Sequence, residues 1–173
     1  NVAERTVNAV TNISSRQVVR RQSIFTGDPF FRYFFEDSQD LFGYRERPSL
    51  GSAVIVQPNG YILTNAHVVG PQTAGITVTL ADNREFEAEL IGRDESTDIA
   101  LIRIDANNLP TVPWGDSSKL RIAEWVLAVG NPFQLSQTVT LGIVSAVGRD
   151  NLGVARYEDF IQTDAAINPG NSG

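Results

Sequence analysis

The chain has 173 residues, no cysteine, one histidine, and fourteen basic against twenty acidic side chains for a formal charge of −6. That length can bury a core as one domain, or one domain and part of another, without disulfides or metal. The composition excludes a Cys/His zinc centre, a redox dithiol and a cysteine nucleophile, and the negative charge is the wrong sign for a surface that neutralises phosphates. Nucleic acid is therefore not an expected partner. No apolar run approaches the roughly 18 residues of a membrane span, so a soluble polypeptide is expected. Asn1-Val2-Ala3-Glu4-Arg5 lacks the basic start and apolar stretch of a signal peptide, and the missing initial Met fits removal of an upstream signal or anchor.

Taken in chain order, residues 1–24 mix polar and apolar side chains. Val7, Val10 and Ile13 recur at three-residue spacing, which suits a short helix and an irregular arm equally. Between Phe25 and Tyr44 lie eight of the chain's fifteen aromatics, without strand or helix period. That stretch reads as a sticky loop, so residues 1–49 are expected to form an N-terminal arm and an aromatic-rich loop.

From Ser52 the pattern changes to short β-branched runs bounded by turn residues. Ser52–Val56 and Tyr61–Thr64 flank Pro58-Asn59-Gly60, and Asn-Gly between apolar runs signals a tight hairpin. Further strands are expected at Ile76–Leu80, Glu85–Ile91 and Ile99–Ile104, with Asp82-Asn83 as a turn. A polar connector then leads to Trp125–Val129, Thr138–Val147 and Asp159–Thr163. Many short strands with almost no helical pattern predict an all-β barrel or sandwich. Two clusters divided by a connector predict two barrels: 50–110 with His67 and Asp98, a connector at 111–118, and 119–173 with Ser172.

Three segments each offer one member of a proton relay: Thr64-Asn65-Ala66-His67-Val68-Val69, Asp94-Glu95-Ser96-Thr97-Asp98-Ile99, and Asn168-Pro169-Gly170-Asn171-Ser172-Gly173. A serine hydroxyl is a poor nucleophile near neutral pH and needs an imidazole to take its proton. His67 is the only imidazole in the chain. The imidazole in turn needs a carboxylate on its other nitrogen, to fix the tautomer and stabilise the imidazolium. Asp98, at the mouth of an apolar strand, is placed for that. Gly170 accepts backbone dihedrals that other residues resist, which suits the N–H groups of Gly170 and Ser172 to form an oxyanion hole.

Each segment alone has an ordinary reading: a packed histidine after a strand, a turn carboxylate, a Gly-Asn turn. Together, in the order His, Asp, Ser, they match the chymotrypsin arrangement and neither the subtilisin nor the α/β-hydrolase order. A lipase or esterase would need a Gly-x-Ser-x-Gly elbow and the opposite order, and the chain has neither.

At these motifs, over residues 50–173, the chain resembles the HtrA/Deg family of serine proteases. The likeness is carried by Gly51-Ser52-Ala53, Asn65-Ala66-His67-Val68-Val69, Asp98-Ile99-Ala100-Leu101, Val129-Gly130-Asn131-Pro132 and Thr163-Asp164-Ala165-Ala166-Ile167-Asn168-Pro169-Gly170-Asn171-Ser172-Gly173. The last is the most specific, since it reproduces the family's spelling of the nucleophile loop. The resemblance implies a chymotrypsin-like double β-barrel, and an ATP-independent endopeptidase acting on unfolded or damaged proteins with small or medium apolar residues before the cut. It implies no metal and no organic cofactor.

The resemblance also implies a homotrimer held through the N-terminal arm and the Phe30–Phe35 region, a regulatory loop at Gly148–Tyr157, and a place in the bacterial periplasm or cell envelope. The family carries further strands, and usually a peptide-binding PDZ domain, beyond the nucleophile loop. The second barrel is therefore expected to be incomplete over these residues. The alternatives are a catalytically inactive fragment and a chaperone-like binding module on the same barrel. A pure binding module has no physical need for His67, Asp98 and Ser172 at once.

Overall fold

The computed structural model describes residues 2–17, 47–71, 73–131, 137–149 and 159–167. A short helix α1 (Val2–Val7) leads into β1 (Val10–Gln17), followed by β2 (Arg47–Ile55), β3 (Tyr61–Asn65), a one-turn helix α2 (Ala66–Val69), β4 (Thr73–Thr79), β5 (Glu85–Asp94) and β6 (Ile99–Ile104). These six strands close into an antiparallel barrel in the order β1-β2-β3-β6-β5-β4. Three more strands, β7 (Trp125–Gly130), β8 (Thr138–Arg149) and β9 (Phe160–Thr163), form a separate sheet in chain order.

The strands form where the sequence alternates. In β6, Ala100, Ile102 and Ile104 are buried while Ile99 and Arg103 face outward, and Ile62 of β3 lies directly across from Ile102. Ile13, Ile55, Val68 and Val78 complete this interior, each essentially sealed from solvent. At roughly 1.5–3 kcal/mol for each large aliphatic side chain, the barrel interior is the main stabilising term of this half of the molecule.

The hairpin between β2 and β3 turns at Gly60, whose φ of +97° suits glycine, and a Cβ there would come within 2.1 Å of the Ile104 carbonyl oxygen. Asn83, at φ +66°, makes the expected turn after Asp82. The turn between β5 and β6 is organised by Asp94, which accepts from the Ser96 N–H at 2.8 Å and the Thr97 hydroxyl at 3.0 Å. The Ser96 hydrogen bond, then that of Thr97, holds the Asp94 carboxyl below its ordinary range.

Three features differ from expectation. Residues 10–17 belong to the barrel and not to an arm, because β1 pairs with β2 on one side and β4 on the other and so closes it. The first barrel therefore begins at Val10, resumes at Arg47, and crosses the expected boundary at residue 50. β5 runs on to Asp94, because a bulge between Leu90 and Gly92 absorbs one residue and lets Gly92, Arg93 and Asp94 pair with Leu101, Ala100 and Ile99. The stretch from Asp105 to Glu124 is longer than the expected connector and holds only a 3₁₀ turn at Ser117–Lys119.

The expected second barrel is an open three-stranded sheet among the described residues. On one face of it Trp125, Leu127, Val139 and Leu141 remain exposed. The aromatic-rich segment around Phe30–Phe35 and nearly all of the Gly148–Tyr157 loop lie outside the described residues.

Two buried polar contacts join barrel and sheet. The Asn131 N–H, just past β7, donates to the Ser52 hydroxyl at 2.8 Å, and Asn12 of β1 donates to the Asn131 carbonyl at 2.9 Å. The Thr64 hydroxyl donates to the Ser52 carbonyl at 2.8 Å, which carries the connection into β3 and towards His67.

Candidate active site

The β3–β6 pairing sets the site. Its last register pair is Asn65 with Ile99, so the residues just beyond, Ala66 and His67 on one strand exit and Asp98 on the other, must meet. Val68 and Val69 are buried in the barrel interior and pin α2 across its end, and the Ser15 hydroxyl holds the Val68 carbonyl at 2.7 Å. Anchored this way, His67 is left at the surface with a side chain 19% exposed, beside an Asp98 side chain 31% exposed.

His67 Nδ1 stands 2.6 Å from Asp98 Oδ2, and the His67 backbone N–H donates to Asp98 Oδ1 at 2.9 Å. A carboxylate accepts only, so Nδ1 carries the proton and Nε2 is left as the basic nitrogen. Both oxygens of Asp98 are thus spent on one residue, which fixes the imidazole's tautomer and its orientation together.

The backbone of Asp98 is itself unusual. Its φ of +56° lies in the left-handed region, which costs a non-glycine residue roughly 1–2 kcal/mol and which Asp and Asn tolerate best. Its carbonyl accepts from the Ala66 N–H at 3.1 Å and from the Asn65 side-chain amide at 3.0 Å. Three consecutive residues therefore grip one aspartate.

Ser172 and Gly170, the expected nucleophile and oxyanion-hole donors, lie outside the described residues. The chain leading towards them is tied to the sheet. Asp164 Oδ1 accepts from the Ile143 N–H at 2.7 Å, and the Thr140 hydroxyl donates to the Ala166 carbonyl at 2.8 Å. Gly142 permits this approach, since a Cβ there would sit 2.3 Å from the Ala165 nitrogen.

An apolar groove of about 310 Å³ runs over the barrel's outer face beside the site, lined by Val54, Val56, Leu63, Asn65, Ile99 and Trp114 among others. Among the described residues no group of three His, Cys, Asp or Glu side chains is placed to hold a metal ion. Nor is any helix among them long and apolar enough to cross a membrane. Sequence reasoning finds His67 and Asp98 but misses what Asn65, Ser52 and Asn12 do. No local signal marks the role of Asn65, because its partner Asp98 lies 33 residues away in sequence.

The family pattern of the trypsin-like peptidase domain matches residues 51–173. A probable periplasmic serine endoprotease DegP-like from Pseudomonas putida is 46% identical, over 99% of this chain and 39% of its own length. The DegP-like relative from Hahella chejuensis is 48% identical, over 99% and 38%. This chain belongs to the HtrA/Deg branch of the trypsin-like peptidases.

Solved HtrA structures share the fold. An HtrA-type protease, AlgW with a decapeptide, superposes with a TM-score of 0.78 at 46% identity, covering all of this chain and 53% of that one. A serine endoprotease from Yersinia pestis gives 0.71 at 39% identity, covering 99% and 50%. The chain thus spans about two fifths of the length of these curated HtrA/Deg relatives and about half of the solved chains.

Proposed function

We propose that this chain carries the catalytic residues of a serine endopeptidase that cleaves unfolded or damaged polypeptides in the bacterial periplasm. The observation that carries this reading is the His67–Asp98 contact, 2.6 Å from Nδ1 to Oδ2, with the second carboxylate oxygen on the His67 N–H. The location and the endopeptidase activity are supported by relatives whose names describe periplasmic serine endoproteases.

In the proposed mechanism, Ser172 Oγ attacks the scissile carbonyl carbon while His67 Nε2 takes the hydroxyl proton. Asp98 stabilises the imidazolium that results. The negative charge moves to the carbonyl oxygen, where the N–H groups of Gly170 and Ser172 would receive it. The C–N bond then breaks, His67 gives its proton to the leaving amine, and an acyl ester remains on Ser172. Water repeats the sequence: His67 removes its proton, the ester C–O bond breaks, and Ser172 recovers its hydrogen.

The assembly we propose is a homotrimer with Phe30–Phe35 in the contact, supported by the clustering of eight aromatics between Phe25 and Tyr44. Residues 10–17 contribute no free strand edge to it, because both edges of β1 are paired within the barrel. Sedimentation of the full polypeptide at a single protomer mass would contradict this assembly.

The test of the activity is cleavage of reduced, unfolded casein against a folded globular protein. Cleavage of the unfolded substrate should vanish in Ser172→Ala and fall about 10⁴-fold in Asp98→Asn, through the wrong histidine tautomer. Full turnover in either variant would overturn the triad.

A further inference from the structure

Asn65 is the N-cap residue of α2, with extended backbone angles (φ −80°, ψ 145°), yet its side chain makes no capping hydrogen bond. Asparagine is a preferred N-cap because its carbonyl oxygen accepts a first-turn N–H. Here Asp98 takes the first two of those N–H groups: its backbone carbonyl receives the Ala66 N–H at 3.1 Å, and its carboxylate receives the His67 N–H at 2.9 Å. Asn65 instead turns its amide nitrogen to the Asp98 carbonyl, at 3.0 Å. A carbonyl only accepts, so the amide must present its NH₂ end, the reverse of a cap.

The ordinary local role is thus given up in favour of a contact 33 residues away in sequence. Among the described residues of the site, the recipient is the one held at a left-handed φ. Two donors on one carbonyl fix the peptide plane after Asp98. Without the second, the residue is freer to relax towards negative φ, which redirects the Cα–Cβ bond and takes the carboxylate away from the imidazole.

We propose that Asn65 is a positioning residue for the catalytic pair: its side-chain amide holds Asp98 in the left-handed conformation from which the carboxylate reaches His67. This rests on the triad reading, and it adds a member that acts only through Asp98. Removal of Asn65 should therefore lower kcat with little change in KM, and should have no further effect once Asp98 has lost its charge.

His67 is the only histidine among these 173 residues, so histidine-selective ¹⁵N labelling gives one Nδ1–H signal from them, identified by its loss in His67→Gln. In the unmodified protein this proton should resonate well downfield of the backbone amides and exchange slowly. In Asn65→Ala, and in the shape-matched Asn65→Asp that lacks the donor, it should move upfield or broaden while the cooperative melting transition is kept. In the complete polypeptide both variants should lose kcat by about tenfold at unchanged KM, the scale of one hydrogen bond. In an Asp98→Asn background the same changes should cost nothing more.

A folded Asn65→Asp with the unmodified protein's Nδ1–H signal and kcat overturns the proposal. So does a loss that multiplies with that of Asp98→Asn. If neither Asn65 variant folds, Asn65 is a structural residue and the proposal falls. If Asp98→Asn itself keeps full turnover, the triad reading has failed and takes this inference with it, an outcome distinct from the others.

Discussion

Asp98 accepts four hydrogen bonds, two on its carbonyl and two on its carboxylate, all from the consecutive residues Asn65, Ala66 and His67. This concentration explains how a residue at φ +56° stays there. It also ranks substitutions at the position. An asparagine in place of Asp98 would tolerate the left-handed region and keep an acceptor for the His67 N–H, whereas alanine does neither. Asp98→Ala is therefore expected to be less stable than Asp98→Asn by at least about 1 kcal/mol, read from urea midpoints at equal slope. Equal midpoints would show that the strain at this residue is not held by its side chain. The pairing of His67 with Asp98 is legible in the sequence because a serine relay would demand those chemistries in that order. Asn65 is not, since an asparagine before a helix reads as a cap, and nothing local shows that Asp98 has taken the capping role.

At the scale of elements, the strands from β2 to β9 are legible wherever β-branched residues alternate with polar ones. β1 is not, because Thr11, Asn12 and Ser15 are fully buried and break the alternation. Each is there for a hydrogen bond outside its own strand: Thr11 to the Ala53 carbonyl, Asn12 to that of Asn131, Ser15 to that of Val68. The length of β5 is hidden for another reason: the expected strand stops at Ile91, the residue the bulge skips, and pairing with β6 resumes only from Gly92. The β2–β3 hairpin is the clearest success of local reading, and it gives a direct test. Gly60→Ala would place a Cβ 2.1 Å from the Ile104 carbonyl oxygen at a φ of +97°. A loss of about 2–3 kcal/mol in urea unfolding is expected, and an unchanged midpoint would mean the turn is not as tight as described.

At the scale of the molecule, the barrel that holds His67 and Asp98 is joined to the sheet through buried polar groups. Ser52 receives the Asn131 N–H at the end of β7, and its carbonyl receives the Thr64 hydroxyl of the strand that delivers His67. Asp164 and Thr140 tie the approach to residues 168–173 onto the same sheet. The two halves are thus coupled by contacts that no single segment of sequence reveals, because each partner lies far from the other along the chain. The proposed relay is drawn from three short motifs, and the geometry that brings the first two together depends on the β3–β6 register and the grip on Asp98.

Activation of Ser172 is read out by the intact mass of the protein before and after exposure to a fluorophosphonate, with Ser172→Ala and Asp98→Asn alongside. A serine activated by the His67–Asp98 pair should give one adduct, absent in Ser172→Ala and formed far more slowly in Asp98→Asn. An adduct that persists in Ser172→Ala, or labelling indifferent to Asp98, would contradict a nucleophile activated by the His67–Asp98 pair.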